Sequence, residues 1–168
     1  MGASEDNRQL TTVGQLNSRD EVRDFLVTLL QQARRKISVF APTLEGDLFN
    51  TSPVISVLAS FTTSHRGNLV RFLVEDADLS FHQNARVVGL CRRFSDFIKM
   101  HQVDENNSGL QEQFVIVDDC GYLHQPHLDR PGFRASTDDR SETRQFAIRY
   151  ERMWERSQSM PGVHTLGL

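Results

Sequence analysis

Short unbroken apolar runs alternate along this chain with segments whose apolar residues recur every three or four positions. The clearest run lies in Gln111-Glu112-Gln113-Phe114-Val115-Ile116-Val117-Asp118, where four consecutive apolar residues, three of them β-branched, stand between polar ends. A strand with one wet face would alternate; an unbroken run suits a strand covered on both faces. Burying Phe114 to Val117 contributes roughly 1.5–3 kcal/mol per side chain. Asp118, Asp119 and Gly121 then signal a turn. This pattern predicts the central strand of the fold.

Similar runs predict strands at Lys36 to Ala41, stopped by Pro42, at Leu69 to Val74, ending in Glu75-Asp76, and at Phe97 to Val103. Shorter strands are expected at Gln9 to Val13, at Tyr122 to Gln125 and near Phe133. Helical spacing appears four times. Ser18-Arg19-Asp20-Glu21 reads as a capping box, followed by Val22, Phe25, Leu26, Leu29, Leu30 and Ala33 and closed by Arg34-Arg35-Lys36. Ser52 as cap and Pro53 at the first helical position open a helix to about Thr63, with Val54, Ile55, Leu58 and Phe61 inward and Gly67 as a stop. A third helix runs from Phe81 to Phe94 on Val87, Val88, Cys91 and Phe94. The last, from Ser141 to Ser157, carries Phe146, Ala147, Tyr150, Met153 and Trp154. Thr43 to Asn50 and Asp104 to Gly109 read as loops.

Alternating strands and helices with short connections predict an α/β fold: a mostly parallel sheet flanked by helices on both faces, with an antiparallel edge hairpin. The expected organisation is a disordered tail at 1–8, a single domain at 9–158 and a C-terminal tail at 159–168.

Composition adds little to this and removes some function classes. With 168 residues, 38% of them hydrophobic and 24% charged, the chain has the balance of a globular protein with a full core. A net charge of -3 makes the molecule as a whole no electrostatic trap for nucleic acid, though it leaves room for a local basic patch. Lys36 and Lys99 are the only lysines; arginine supplies the other cations, which a GC-rich genome explains more simply than phosphate binding. Two cysteines, Cys91 and Cys120, without a secretory signal predict reduced thiols and a cytoplasmic setting. No apolar run approaches the ~18 residues of a membrane helix.

Three stretches carry a family resemblance. Ser64 to Asp76 (SHRGNLVRFLVED), Gln111 to Asp118 and Phe146 to Ser157 (FAIRYERMWERS) together resemble one half of the phospholipase D superfamily. That family's signature is His-x-Lys-x-x-x-x-Asp, often written H-x-K-F-V-I-V-D-G; here the row reads Q-E-Q-F-V-I-V-D-D. The chain is also similar to bacterial domains of this type found behind acetyltransferase domains, but it shows no acetyl-CoA-binding loop. The resemblance implies a phospholipase D-like fold. It also implies a metal-free site made by two motifs that meet, in which the histidine is the nucleophile, the lysine grips phosphate and the aspartate supports the histidine.

Only Asp118 matches that motif. Gln111 replaces the histidine and Gln113 the lysine. A primary amide is neither a nucleophile nor an acid–base group at neutral pH, and it brings no charge to a phosphate. The downstream Gly-Ser-x-Asn is also missing; Ala135-Ser136-Thr137 stands in that region as a poor match. Catalysis by the family mechanism is not expected.

Other residues offer weaker chemistry. His101, on the strand expected beside Gln111 to Asp118, is the substitute candidate for a catalytic role. Cys120, His124 and His127 have a C-x3-H-x2-H spacing but lack paired CxxC grammar, so no metal is expected. Arg92, Arg93 and Lys99, or Arg66 and Arg71, would make cationic patches, though solvated edges explain them more simply. The acids Glu75, Asp76, Asp118 and Asp119 end strands, where ligands bind in open α/β sheets; in this family such acids often hold loops.

The expectation from sequence is therefore a non-catalytic, cofactor-free binding or interaction module. It would work as a homodimer, with a protein partner or a phosphate-containing ligand and no membrane. The alternatives are a divergent phosphodiesterase or nuclease using a substitute histidine, and a nucleic-acid-binding protein without cleavage.

Overall fold

The computed structural model describes residues 14–160. The strand expected at Gln9 to Val13, the tail at 1–8 and most of the tail at 159–168 lie outside them. The elements in chain order are β1 (Gln15–Leu16), α1 (Arg19–Gln31), β2 (Lys36–Ala41), α2 (Gly46–Phe49), α3 (Ser52–Ser64), β3 (Leu69–Val74), α4 (Ala77–Gln83), α5 (Ala85–Arg93), β4 (Ile98–Gln102), β5 (Gln113–Val117), β6 (Gly121–Gln125), β7 (Phe133–Ser136), α6 (Arg140–Glu155) and β8 (Gln158–Ser159). The class is α/β, and helices cover both faces of one sheet.

The sheet is mixed, not mostly parallel. Its order is β1-β7-β6-β5-β2-β3-β4-β8. β2–β3 and β3–β4 are parallel, while every other pairing among the described residues is antiparallel. The reason lies between β4 and β5. Val103 to Glu112 holds one 3₁₀ turn, Glu105–Asn107, and no crossover helix. A parallel return needs a long crossover; this link stays at one end of the sheet, so β5 runs back against β2. The β5–β6 hairpin is interior rather than at the edge, because β7 and β1 extend the sheet beyond it. β5 and β2 are the central strands, and all five residues of β5 are buried.

Period-two alternation divides the core. Val115 and Val117 face the layer of α1, α3 and α5, together with Leu26, Leu29, Leu58, Val87 and Cys91. Phe114 and Ile116 face α6, together with Phe40, Leu73, Phe146, Tyr150 and Met153. On that side Phe114 packs against Phe40 and Phe146 with ring centres 5.4 and 5.0 Å apart.

Several local expectations change. Ser18 caps α1 by accepting from the Glu21 amide (3.2 Å), but α1 stops at Gln31, so Arg34-Arg35-Lys36 is a loop rather than a final turn. Thr51 rather than Ser52 is the cap of α3. Its far end is closed by Asn68, whose side chain donates to the Phe61 carbonyl (2.8 Å). The loop at Thr43 to Asn50 contains α2. The helix expected from Phe81 to Phe94 is two helices broken at Asn84, whose side-chain Nδ2 donates to the carbonyls of Leu44 and Ser80. Gln158 and Ser159, at the expected boundary of the tail, pair with β4, and Met160 is buried.

Candidate functional site

The two ends of β5 have different surroundings. Gln113 and Asp118 are five residue steps apart on an extended strand, about 17 Å, so the positions equivalent to the lysine and aspartate of the motif share no cleft.

At the first end, Gln111 is exposed and Gln113 buried. Gln113 pairs in register with Gln125 on β6. Its amide nitrogen donates to the Gln125 side-chain oxygen (2.7 Å) and to Glu45 Oε2 (3.0 Å). Both amide hydrogens are thereby committed. Gln125 in turn donates to the Arg130 carbonyl (2.7 Å). Glu45 accepts from Arg19 Nη2 (2.7 Å), and Arg19 also binds Asp47 (2.8 Å). The hydrogen bond from Arg19 holds the Asp47 carboxyl below its ordinary range. This network ties the starts of α1, α2 and β5 to the end of β6. The cavity that Gln113 borders with Phe40, Leu48 and Phe133 measures about 10 Å³.

Glu112 points to the opposite face. It accepts from His124 Nε2 (2.9 Å) and pairs with Arg149 of α6. Its burial raises the carboxyl pKa, but the hydrogen bonds from His124 and Arg149 and the charge of Arg149 outweigh that, and the net shift is downward. The residues on this side cross-link α6 to the hairpin.

At the other end, Asp118 has a left-handed φ of 52°, a conformation Asp adopts more readily than most side chains. Its carboxylate accepts from three successive backbone amides, those of Arg34 (2.9 Å), Arg35 (2.9 Å) and Lys36 (3.0 Å). The aspartate thus fixes the loop that enters β2. Glu75 and Asp76 do similar work: Glu75 accepts from the Gly109 amide, and Asp76 caps α4 through Leu79 (3.0 Å). These acids hold loops, as the family resemblance implies.

Beside Asp118 opens a cleft of about 800 Å³ between the sheet and α6. Ser38, Arg71 and Ile116 come from the sheet, and Ala147 and Glu151 from α6. Arg71 is buried, so it is no surface patch with Arg66. Its guanidinium pairs with Glu151 and lies 5.0 Å from the ring centres of both Tyr150 and Trp154. Glu151 is held below the ordinary carboxyl range, first by the hydrogen bond from Arg71. The sequence signal for a buried, paired arginine is its place inside an otherwise apolar strand, LVRFLV, rather than its charge.

The remaining candidates do not converge. His101, on β4, is separated from β5 by two intervening strands, β2 and β3. It stacks on Trp154 (3.8 Å) and contacts Ser157 Oγ through Nδ1 (2.8 Å). Cys120 sits at the hairpin turn, while His124 pairs with Phe114 toward the other end and His127 is exposed beyond β6. Among the described residues no group of three His, Cys, Asp or Glu is placed to hold a metal. Burial, together with Asp118 and Asp119, raises the Cys120 thiol pKa; burial pushes Cys91 up to about 12. Neither is a thiolate nucleophile at neutral pH. Arg92 and Arg93 end α5, whereas Lys99 alternates to the opposite face of β4, so the three form no single patch. Ala135-Ser136-Thr137 lies at the Asp118 end of the sheet, away from Gln113. No helix among the described residues is long and apolar enough to cross a membrane.

Residues 18–166 match a sequence family described as a domain of unknown function, DUF7931. No curated protein matches the chain. Among solved structures, it is similar to TrmBL2, an archaeal chromatin protein described as showing a novel mode of DNA binding. The TM-score is 0.62 at 11% identity, over 95% of this chain and 56% of that one. It is similar to Nuc, a phospholipase D family member from Salmonella typhimurium, with TM-score 0.62 and 11% identity over 88% of this chain and 95% of that one. NucT from Helicobacter pylori gives 0.59 at 14% identity, over 87% and 97%. The chain thus spans little more than half of TrmBL2 and nearly all of Nuc and NucT. The fold is phospholipase D-like.

Proposed function

The chain belongs to the DUF7931 family, and from that premise we propose that it is a phospholipase D-like domain that binds without catalysing. One observation carries this reading. The residue at the lysine position, Gln113, gives both amide hydrogens to Gln125 and Glu45. It has neither a charge nor a spare donor for a phosphate, and Gln111 offers no nucleophile. Loss of a nucleophile alone removes several orders of magnitude of rate.

The domain acts as a cytoplasmic interaction module. It pairs with a second copy, because it corresponds to one half of a site that two motifs build in active relatives. Sedimentation velocity at micromolar concentration is expected to give a dimer mass; a monomer would remove that part. Purified protein is expected to leave bis-p-nitrophenyl phosphate and single-stranded DNA intact. Turnover that His101→Ala abolishes would overturn the reading in favour of a substitute-histidine phosphodiesterase.

The likeness to TrmBL2 favours a second reading, nucleic-acid binding without cleavage. It requires an affinity that falls steeply with salt and weakens in Arg92→Ala/Arg93→Ala. An affinity flat with salt counts against it.

A further inference from the structure

We propose that the cleft beside Asp118 binds a small phosphate monoester with an apolar body, its phosphate on the Arg34-Arg35-Lys36 loop and its body over Ile116 and Ala147. The site lies at the other end of β5 from Gln111 and Gln113. It therefore stands whether or not that end retains turnover.

The charges in the cleft are not equivalent. The Asp118 carboxylate is spent on three backbone amides. Asp119 pairs with Arg140 (3.3 Å), and Glu151 pairs with Arg71 and approaches Lys36 (3.7 Å). The guanidinium groups of Arg34 and Arg35 are exposed and make no ion pair with a described residue, so they supply the unspent positive charge of the cleft. Asp138 is the carboxylate left to oppose them, and an anion must seat away from it. Two neighbouring arginine forks beside a lysine match a dianionic head better than a carboxylate.

The loop is pre-organised for this. Three successive amides turn inward to Asp118, so the backbone that carries the cations is fixed before a ligand arrives. Ordering such a loop on binding would otherwise weaken affinity. Ile116 of β5 and Ala147 of α6 both line this cleft and give it an apolar part for the body of the ligand. A volume of about 800 Å³ suits a small organic molecule. A nucleic-acid backbone would instead want a stripe of cations along an open surface. Here the cations cluster at one mouth and alternate with acids.

Isothermal titration calorimetry of the full chain with phenyl phosphate tests this. Saturable binding is expected, weakened about tenfold or more by Arg34→Gln/Arg35→Gln, since each charge-assisted contact carries about that factor. Those side chains are exposed and Asp118 holds their backbone amides, so this variant keeps its fold, which circular dichroism checks. Ala147→Trp, which fills the apolar part, is expected to block phenyl phosphate as well. Inorganic phosphate is expected to bind at least several-fold more weakly than phenyl phosphate. Absence of binding at millimolar phenyl phosphate overturns the site. So does an affinity unchanged in the arginine variant, or inorganic phosphate binding as tightly as phenyl phosphate.

Discussion

Asp118 and Gln113 show how a single side chain sets its surroundings. Asp118 combines a left-handed backbone with three amide contacts. Replacing it with Ala removes those contacts and places a residue without a local hydrogen bond at φ 52°. The expected loss is roughly 2–3 kcal/mol by urea denaturation. Asp118→Asn is expected to lose less, because Asn tolerates the same φ and keeps one acceptor oxygen. Equal losses would mean that the retained acceptor and the tolerance of this φ contribute little. Gln125→Leu deprives Gln113 of one acceptor and the Arg130 carbonyl of its donor inside a buried network. A loss of about 1–3 kcal/mol is expected, read from the denaturation midpoint. The sequence revealed the identity of the glutamines and hence the loss of a nucleophile. It did not reveal that both amide hydrogens of Gln113 are taken, because their acceptors Glu45 and Gln125 lie 68 and 12 residues away.

Among the elements, β2, β3 and α1 were legible because each has one dominant local signal, an apolar run or a helical stripe with a cap. α2 was not. Its four residues carry too short a pattern, and it exists because Arg19 and Arg23 of α1 hold Asp47. Gly46 starts that helix against the end of α4, where an added Cβ would meet the carbonyl oxygen of Gln83. Gly46→Ala is expected to cost about 1–3 kcal/mol, measured by thermal or chemical unfolding. An unchanged midpoint would show that α2 and α4 move apart freely. The break at Asn84 was hidden for a related reason. Apolar residues continue across it with near-helical spacing, and the Leu44 carbonyl that the Asn84 side chain bonds lies 40 residues away.

Over the whole molecule, stability is expected to fall on the acid side. Asp47, Glu112 and Glu151 all have carboxyl pKa values lowered in the folded state, each through an arginine partner among its causes. A lowered folded value means that the unfolded chain takes up protons first. The stabilisation is therefore complete above the ordinary carboxyl values of 3.8–4.5 and is lost as pH falls through the folded ones. Thermal melts between pH 7 and pH 3 are expected to show a midpoint flat near neutrality and falling below about pH 4.5. A flat profile to pH 3 would mean these pairs are screened out. Asp47 and Glu151 are half-exposed, so Glu112, at 17% side-chain exposure, is expected to dominate the slope.

What the sequence determined by itself was whatever depends on neighbours along the chain. It marked the buried run of β5, the stripes that become α1, α3 and α6, and the replacement of a nucleophile and a cation by two amides. Hydrophobic period and residue chemistry are local properties, so one strand or one turn suffices to express them. Tertiary structure decided which way β5 runs, because that depends on whether a connection crosses the sheet or stays at its end. It also decided which charges are already spent. Asp118 reaches the Arg34 amide across 84 residues, and Arg71 reaches Glu151 across 80. Only the folded chain distinguishes arginines that are paired from those left facing a cleft, since pairing is a matter of distance in space and not of order along the chain.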